Sequence, residues 1–208
     1  MPEHTSEERL IAEARGGNRE ALETLLKNIM NRIFGLSVRM LYNPEDARDA
    51  TQEILIKIVT GLGKFEGRSS FDTWAYRIAA NHLLTMKQRK PEREAMNFDE
   101  YRDDLALPAG WRDLPSEGIE REWVEEVRIS CLHGLLLCPN RAHRLASILV
   151  DVFGVTSEQG GAILGITAEA FRKRLSRARK SLADFLRDSC GLMDPDNPCA
   201  CMGHTVTM

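Results

Sequence analysis

The sequence predicts an all-α protein in which two small helical domains are joined by a flexible linker. Apolar residues recur at helical spacing through most of the chain, and no segment alternates apolar and polar residues as a half-buried strand does. Periodicity is lost between residues 91 and 121, where acids and prolines collect. The predicted divisions are therefore a first domain at 1–90, an acidic linker at 91–121, a second domain at 122–189 and a cysteine-containing tail at 190–208.

The composition excludes several classes of protein. With 43% hydrophobic residues the chain is not a disordered or low-complexity sequence. No apolar run approaches the roughly 20 residues that span a bilayer, and the polar start MPEHTSEERL is unlike a secretory signal. We therefore expect a cytoplasmic protein with no membrane partner. Its five cysteines, an odd number, argue against a disulfide framework in that compartment.

Four helices are predicted in the first domain. A short one ends at Gly16-Gly17-Asn18. The second and third are separated by Asn43 and Pro44, because Asn caps a helix and Pro fits its first turn. Ser70 is positioned to cap the fourth. Between the third and fourth helices, residues 65–70 are predicted to form a loop, and one helical turn is predicted inside the linker at 98–101.

The third helix and the segment after it carry candidate functional residues. One face of the helix is polar, a pattern that in most proteins marks only a solvated surface: Asp46, Asp49, Gln52 and Glu53. Four aromatic residues then fall within twelve positions: Phe65, Phe71, Trp74 and Tyr76. With Arg68, Arg77 and Asn81 beside them, they suit single-stranded DNA, because unpaired bases stack on rings and cations follow phosphates. The alternative is that Phe71 and Trp74, three residues apart, are core residues.

The second half predicts a helix-turn-helix. One helix runs from about residue 119 to Cys138, Pro139 breaks it, and another spans 141–153. Thr156 and Gln159 then form a capping box that opens a short helix, and Gly165 suits the left-handed turn that closes it. Thr167 caps the long basic helix that follows.

The basic helix has two distinct faces. Phe171, Leu175, Ala178 and Leu182 share a side that we expect to be buried. Guanidinium groups pair bidentately with guanine edges or phosphates, so the opposite face suits the major groove. Candidates for base-edge contact are Arg172, Lys173 and Arg177, and candidates for phosphate contact are Arg174, Arg179 and Lys180. The alternative is an ordinary solvated amphipathic helix.

These two segments resemble those of a known family, the extracytoplasmic-function sigma factors of the sigma-70 family. DARDATQEILIKIVTGLGKFEGRSSFDTWAYRIAANHLL is similar to their second conserved region, and FGVTSEQGGAILGITAEAFRKRLSRARKSL is similar to their fourth. The resemblance covers about residues 7–90 and 122–188, and the paired motifs in this order are specific.

The resemblance implies a function in transcription initiation without covalent chemistry by this chain and without a required cofactor. Core RNA polymerase and promoter DNA are the implied partners, and an anti-sigma factor is a further candidate. Polymerase binding is assigned to the polar face: Asp46, Asp49, Gln52 and Glu53. Recognition and melting of the −10 element is assigned to Phe65, Arg68, Ser69, Ser70, Trp74, Tyr76, Arg77 and Asn81. Recognition of the −35 element is assigned to Thr167, Glu169, Arg172, Lys173, Ser176, Arg177 and Arg179.

The tail carries a candidate metal site. A Cys-x-Cys pair with another thiol nine residues earlier is a plausible ligand set for zinc or copper. The predicted ligands are Cys131, Cys190, Cys199 and Cys201, with Cys138 or His204 as alternates. The arrangement is similar to the cysteine-rich extension of CorE-like metal-responsive members, although the tail holds only three cysteines. Buried structural thiols and a redox sensor acting through Cys199 and Cys201 are the alternatives.

Two other protein classes compete with this interpretation. A stand-alone helix-turn-helix repressor would bind its operator tightly without polymerase, but it gives the polar and aromatic first half no role. A metalloenzyme would need an open metal position beside a general acid or base, and the tail offers no obvious partner of that kind.

Overall fold

The computed structural model describes residues 6–87, 97–106, 121–199 and 201. The prediction of an all-α fold is confirmed, since these residues form helices and no strand, apart from one isolated bridge between Cys190 and Cys199. The helices are α1 (Ser6–Arg15), α2 (Arg19–Leu41), α3 (Pro44–Gly61), α4 (Phe71–Thr85), α5 (Phe98–Leu105), α6 (Arg121–Leu137), α7 (Arg141–Asp151), α8 (Ser157–Leu164) and α9 (Ala168–Ser189), with a 3₁₀ turn at Leu62–Lys64.

The chain forms two compact units. The first takes its described residues from Met1–Arg89 and Ile148–Arg172, and the second from Lys90–Ser147 and Lys173–Met208. The dividing lines therefore fall inside α7 and α9. The domain boundaries expected at residues 90 and 122 stay a prediction.

The core of the first unit is built by α2, α3 and α4. Leu36 and Met40 of α2 and Ile54 of α3 are fully buried, as helical spacing predicts. A polar link crosses this core, because the Thr51 hydroxyl donates to the Ala47 carbonyl at 2.6 Å and lies 3.3 Å from the Ser37 hydroxyl. Satisfying these buried hydroxyls avoids the cost of desolvating them without partners.

Local capping signals set the boundary between α2 and α3 where the sequence predicts it. The Asn43 side chain accepts from the backbone of Glu45 at 2.9 Å and of Asp46 at 3.1 Å, with Pro44 at the first position of α3. Helix α2 ends at Leu41, before Asn43 as predicted. Its C-cap was not predicted, because Tyr42 takes the left-handed conformation (φ 61°) that glycine usually supplies.

In the first unit α8 also packs on α4, a contact that the sequence did not predict. The Tyr76 ring lies 5.7 Å from the Phe153 ring, measured between centroids. The Arg77 Nε donates to the Ala162 carbonyl at 2.8 Å, and its Nη2 donates to the same oxygen. That carbonyl belongs to the last turn of α8, where carbonyls lack intrahelical donors, so the guanidinium caps α8.

The second unit contains a helix inside the predicted linker. The capping box of Asn97 and Glu100 opens α5, and the rings of Phe98 and Tyr101 lie 5.6 Å and 5.8 Å from the ring of Phe185. The expected single turn at 98–101 is therefore two turns of packed helix. The rest of the predicted linker, at 91–96 and 107–120, lies outside the described residues.

Candidate nucleic-acid interface

The polar face of α3 is available to a partner. Asp49, Gln52 and Glu53 are exposed and Asp46 is half-buried, while Ala47 and neighbouring core residues occupy the opposite side. Sequence reasoning missed Ile56, one turn beyond Gln52, whose side chain is 62% exposed. An exposed large apolar side chain bordering this polar face extends the candidate surface.

A buried histidine supports this face from α4. The His82 Nδ1 lies 2.6 Å from the Lys57 Nζ, and its Nε2 lies 3.7 Å from Glu53 Oε2. Burial lowers the pKa of His82, and the nearby Lys57 charge lowers it further. An ammonium only donates, so Nδ1 accepts and the Nε2 proton points toward Glu53. This arrangement links α4 to a residue of the candidate polymerase surface.

Two residues assigned to the −10 element are core residues instead. Phe65 is buried with its ring 6.1 Å from that of Phe71 and 5.2 Å from that of Trp74. Tyr76 is buried with its hydroxyl accepting from the Arg32 Nε at 3.0 Å. Neither ring is accessible to a base, because each closes part of the hydrophobic core. Burying these large aromatic rings stabilises the core, and the spacing of apolar residues in the sequence does not reveal that burial.

The other residues of this set lie at or near the surface. Arg68 is exposed and pairs with Glu66 at 2.6 Å, and the Ser70 Oγ caps α4 by accepting from the Thr73 backbone at 3.3 Å. Trp74 is half-buried, and the remaining members are exposed: Ser69, Arg77 and Asn81. Of these, the Arg77 side chain is engaged with the Ala162 carbonyl in this structure.

The helix-turn-helix has the predicted local geometry. The Gln159 backbone N–H donates to the Thr156 Oγ1 at 3.2 Å, while the Gln159 side chain accepts from the Thr156 backbone at 2.9 Å. Gly165 adopts φ 66°, a left-handed conformation that favours glycine. Thr167 caps α9, since its Oγ1 accepts from the Ala170 backbone at 3.1 Å.

The two faces of α9 are as expected. Phe171, Leu175 and Ala178 are buried and Leu182 is half-buried. The side chains assigned to the −35 element are all exposed: Thr167, Glu169, Arg172, Lys173, Ser176, Arg177 and Arg179.

The positive charge of α9 affects the pKa of a neighbouring histidine, His143. Burial lowers the pKa of His143, and the charges of Arg174 and Arg177 lower it further. Cations concentrated on one helix face in this way attract the phosphates of DNA.

A pocket in the second unit collects the predicted thiol ligands. We call it the thiol pocket; it has a volume of about 440 Å³ and its lining includes Leu132, Leu135, Cys131, Cys190, Cys199 and Cys201. Hydrogen bonding to the Cys201 thiol raises the pKa of Cys199, and burial raises it further. Burial also raises the pKa of Cys131.

Of the alternate ligands, Cys138 does not line the thiol pocket. The Cys138 thiol donates to the Gly134 carbonyl at 3.5 Å, and burial raises its pKa to about 11. His204 lies outside the described residues. Over the parts of the chain that the structure describes, no three His, Cys, Asp or Glu side chains are arranged to hold a metal ion. The four thiols therefore share a pocket without forming a ready coordination sphere.

None of the helices in the described ranges is long and apolar enough to cross a bilayer.

A helix-turn-helix with an exposed basic second helix defines a helical DNA-binding protein. Comparison with known proteins identifies the family within this class. Residues 25–91 match the family model described as Sigma-70 region 2. The RNA polymerase sigma factor CarQ of Myxococcus xanthus is 30% identical over 174 residues, which is 83% of this chain and 92% of that protein. The RNA polymerase sigma-H factor of Pseudomonas aeruginosa is 28% identical over 193 residues, covering 88% and 97%.

Solved structures agree on the fold. CnrH, solved with the cytosolic domain of CnrY, matches with a TM-score of 0.62 at 19% identity, over 92% of this chain and 99% of that one. The sigma factor RpoE of Bartonella quintana, solved with the anti-sigma factor NepR, matches with a TM-score of 0.52 at 21% identity, over 79% and 96%. The ECF RNA polymerase sigma-E factor of Haemophilus influenzae is 26% identical over 191 residues, which is 90% of this chain and 98% of that protein. The chain belongs to the extracytoplasmic-function (ECF) group of the sigma-70 family, and it is an RNA polymerase sigma factor.

Proposed function

We propose that this sigma factor binds core RNA polymerase through α3 and directs it to promoters through α4 and α9. The DNA-binding part rests on the two faces of α9: Phe171, Leu175 and Ala178 are buried on one side, and every residue assigned to the −35 element is exposed. A helix of this width enters the major groove with such a face against the bases. In this account Arg172, Lys173 and Arg177 contact base edges or adjacent phosphates of the −35 element.

The polymerase surface is the polar face of α3 extended by Ile56. Asp49, Gln52 and Glu53 supply charge and hydrogen-bond acceptors, and Ile56 supplies an exposed apolar side chain. Non-obligate protein interfaces typically combine an apolar centre with a polar rim, as this surface does.

The −10 surface consists of Arg68, Ser69, Ser70, Trp74, Arg77 and Asn81, without the buried Phe65 and Tyr76. Opening the duplex costs a few kcal/mol for each unstacked base, so a stacking and hydrogen-bonding surface is needed to stabilise the melted strand. Arg77 caps α8 through Nε and Nη2, so bidentate pairing of this edge of the guanidinium with a phosphate requires the α4–α8 contact to open.

The experiment that tests this function is promoter melting by reconstituted holoenzyme. A fluorescent adenine analogue in the non-template strand of the −10 element reports unstacking directly. We expect its emission to rise when core polymerase and this chain are added together, and not with either alone. No rise with a promoter that the holoenzyme binds would contradict the assignment of α4.

We also propose that the tail cysteines hold zinc or copper as a regulatory element. The support is that Cys131, Cys190, Cys199 and Cys201 all line the thiol pocket. Thiolates are the ligands that these soft cations prefer. Metal content of the anaerobically purified protein, followed by metal release on thiol modification, is the test. Absence of stoichiometric metal would contradict it.

Two further parts of the proposal concern context. The site of action is the cytoplasm, where core polymerase is found, and an anti-sigma factor is a candidate regulator. Pull-down from a bacterial lysate with the full chain, with and without added core polymerase, tests whether a second protein competes for α3.

A further inference from the structure

We propose that Arg15 is a positioning residue for promoter melting, because it holds the loop at residues 65–70 from the end of α1. That loop carries three members of the −10 surface: Arg68, Ser69 and Ser70. The inference rests on the proposed function and gives α1 a role in it. Helix α1 precedes residues 25–91, the part of the chain that the family model matches.

The guanidinium of Arg15 bridges two carbonyls at the start of the loop. Its Nη1 donates to the Phe65 carbonyl at 3.4 Å, and its Nη2 donates to the Gly63 carbonyl at 3.2 Å. These acceptors lie 50 and 48 positions further along the chain, where the backbone leaves the 3₁₀ turn. A guanidinium presents its N–H groups in a planar fork, so one side chain orients both carbonyls relative to α1.

Helix α1 is itself held against the first unit. Ile11 and Ala14 are buried, and α1 packs on α2. The Asn18 side chain caps α2 directly after the turn that joins the two helices. Arg15, at the last position of α1, therefore reaches the loop from a helix whose place is fixed by core packing.

The loop stands away from α1 beside this contact. A cleft of about 330 Å³ lies between them, and its lining includes Arg9, Ala12 and Gly67. The buried Phe65 ring anchors one end of the loop, and the Ser70 hydroxyl anchors the other by capping α4. The exposed residues between these anchors depend on the path of the Phe65 backbone, and Arg15 holds that backbone from outside the loop.

Holding the loop in this way favours capture of the melted strand. A loop that is ordered before DNA arrives avoids the conformational entropy that its ordering would cost on binding. Arg15 therefore acts on the −10 element through Arg68, Ser69 and Ser70, and its loss affects melting more than duplex binding.

Promoter melting by holoenzyme that contains Arg15→Ala tests the inference. The fluorescent adenine analogue in the −10 element is followed at DNA concentrations that saturate the holoenzyme. We expect the rate of the emission rise to fall about tenfold, since hydrogen bonds from a charged donor contribute on that order. Affinity for core polymerase, and affinity of the holoenzyme for duplex DNA carrying the −35 element, should stay unchanged. A general loss of folding would lower all three quantities.

Two matched variants separate bridging from charge. Arg9→Ala removes the same charge from α1 beside the same cleft and should melt the promoter like the wild type. Arg15→Lys keeps a charge at the end of α1 but lacks the fork that bridges two carbonyls, so it should stay impaired. An equal loss in Arg9→Ala, or full melting by Arg15→Lys, would show that α1 acts through charge alone and would overturn the inference.

Hydrogen exchange of the free full chain gives a readout independent of polymerase. Backbone amides of residues 63–70 should exchange faster in Arg15→Ala than in the wild type, while those of α3 should not change. Unchanged exchange in the loop, or normal melting by Arg15→Ala under conditions where the wild type melts, overturns this inference alone. Absence of melting by wild-type holoenzyme would instead contradict the proposed function, and this inference with it.

Discussion

Single glycines set how closely the helices of the helix-turn-helix approach. A Cβ built on Gly160 would overlap the ring of Phe171, and one on Gly161 would lie 2.8 Å from the Ile166 carbonyl oxygen. We expect Gly160→Ala to lower the free energy of unfolding by about 1–3 kcal/mol through overpacking. Urea unfolding of the full chain followed by circular dichroism measures it. Gly63→Ala, where a Cβ meets open space, is the matched control, and equal losses for both would contradict the packing argument.

His82 makes stability depend on pH. Burial, with the Lys57 charge, lowers its pKa in the folded protein below that of the unfolded chain, so the unfolded chain binds the proton first. The stabilisation is therefore present above about pH 6.5, the ordinary histidine value, and is lost as pH falls below it. We expect the free energy of unfolding to decrease between pH 7 and 5.5, and His82→Gln to flatten this dependence. His133→Gln, at an exposed position, should leave the slope unchanged.

The proposed function assigns DNA recognition to helix α9. Arg172→Ala or Arg177→Ala should weaken holoenzyme binding at the −35 element by about 1–3 kcal/mol, which is roughly 5- to 150-fold, because a guanidinium contact to a base or phosphate is lost. Binding to core polymerase should not change. Fluorescence anisotropy with promoter DNA measures it, and Arg19→Ala, an exposed arginine of α2, is the control with the same charge change. Loss of core binding in the α9 variants would show that the roles of the two surfaces are misassigned.

The proposed function assigns polymerase binding to helix α3. Asp49→Arg reverses a charge at the centre of the exposed face and should weaken binding to core polymerase at least about tenfold, since a like-charge contact costs several kcal/mol at an interface. Competition against a labelled sigma factor for core polymerase measures it. Glu13→Arg makes the same change at an exposed position of α1 and should have no effect. Equal weakening by both variants would indicate a general charge effect.

Elements defined by local signals were predictable, and contacts between distant elements were not. Asn43 with Pro44, the Thr156 capping box and Gly165 act within a few residues of themselves, so the sequence predicts α3, α8 and the turn. Phe65 was assigned to DNA because its packing on Phe71 and Trp74 requires the 65–70 loop to turn back onto α4. Tyr76 was assigned to DNA because its partners Arg32 and Phe153 lie far from it in the chain. The packing of α5 on Phe185 was missed for the same reason.

The candidate sites divide in the same way. Exposure of the α9 face followed from its helical period. Four cysteines spread over seventy positions line one pocket, and the metal site expected from them stays a prediction. The capping of α8 by Arg77 depends on a tertiary contact that no local pattern encodes. Ile56 was missed because an apolar residue next to a buried stripe is usually assigned to the core.

For the whole chain, the net charge of −3 means that nonspecific attraction to DNA is weak, because that attraction comes from excess Lys and Arg. Two modest DNA contacts become strong only when polymerase carries both on one assembly, which raises their effective concentration. We therefore expect promoter binding by the free chain to be about 10²–10⁴-fold weaker than by holoenzyme, measured by anisotropy at one salt concentration. Comparable affinities would favour a repressor that works alone.

The most direct test of the account is run-off transcription with core polymerase and a promoter selected by the holoenzyme. We expect a defined transcript when this chain is present, none with core polymerase alone, and none when the −35 or −10 element is scrambled. If core polymerase yields the same products with and without the chain, the assignment of α3, α4 and α9 to promoter recognition is contradicted.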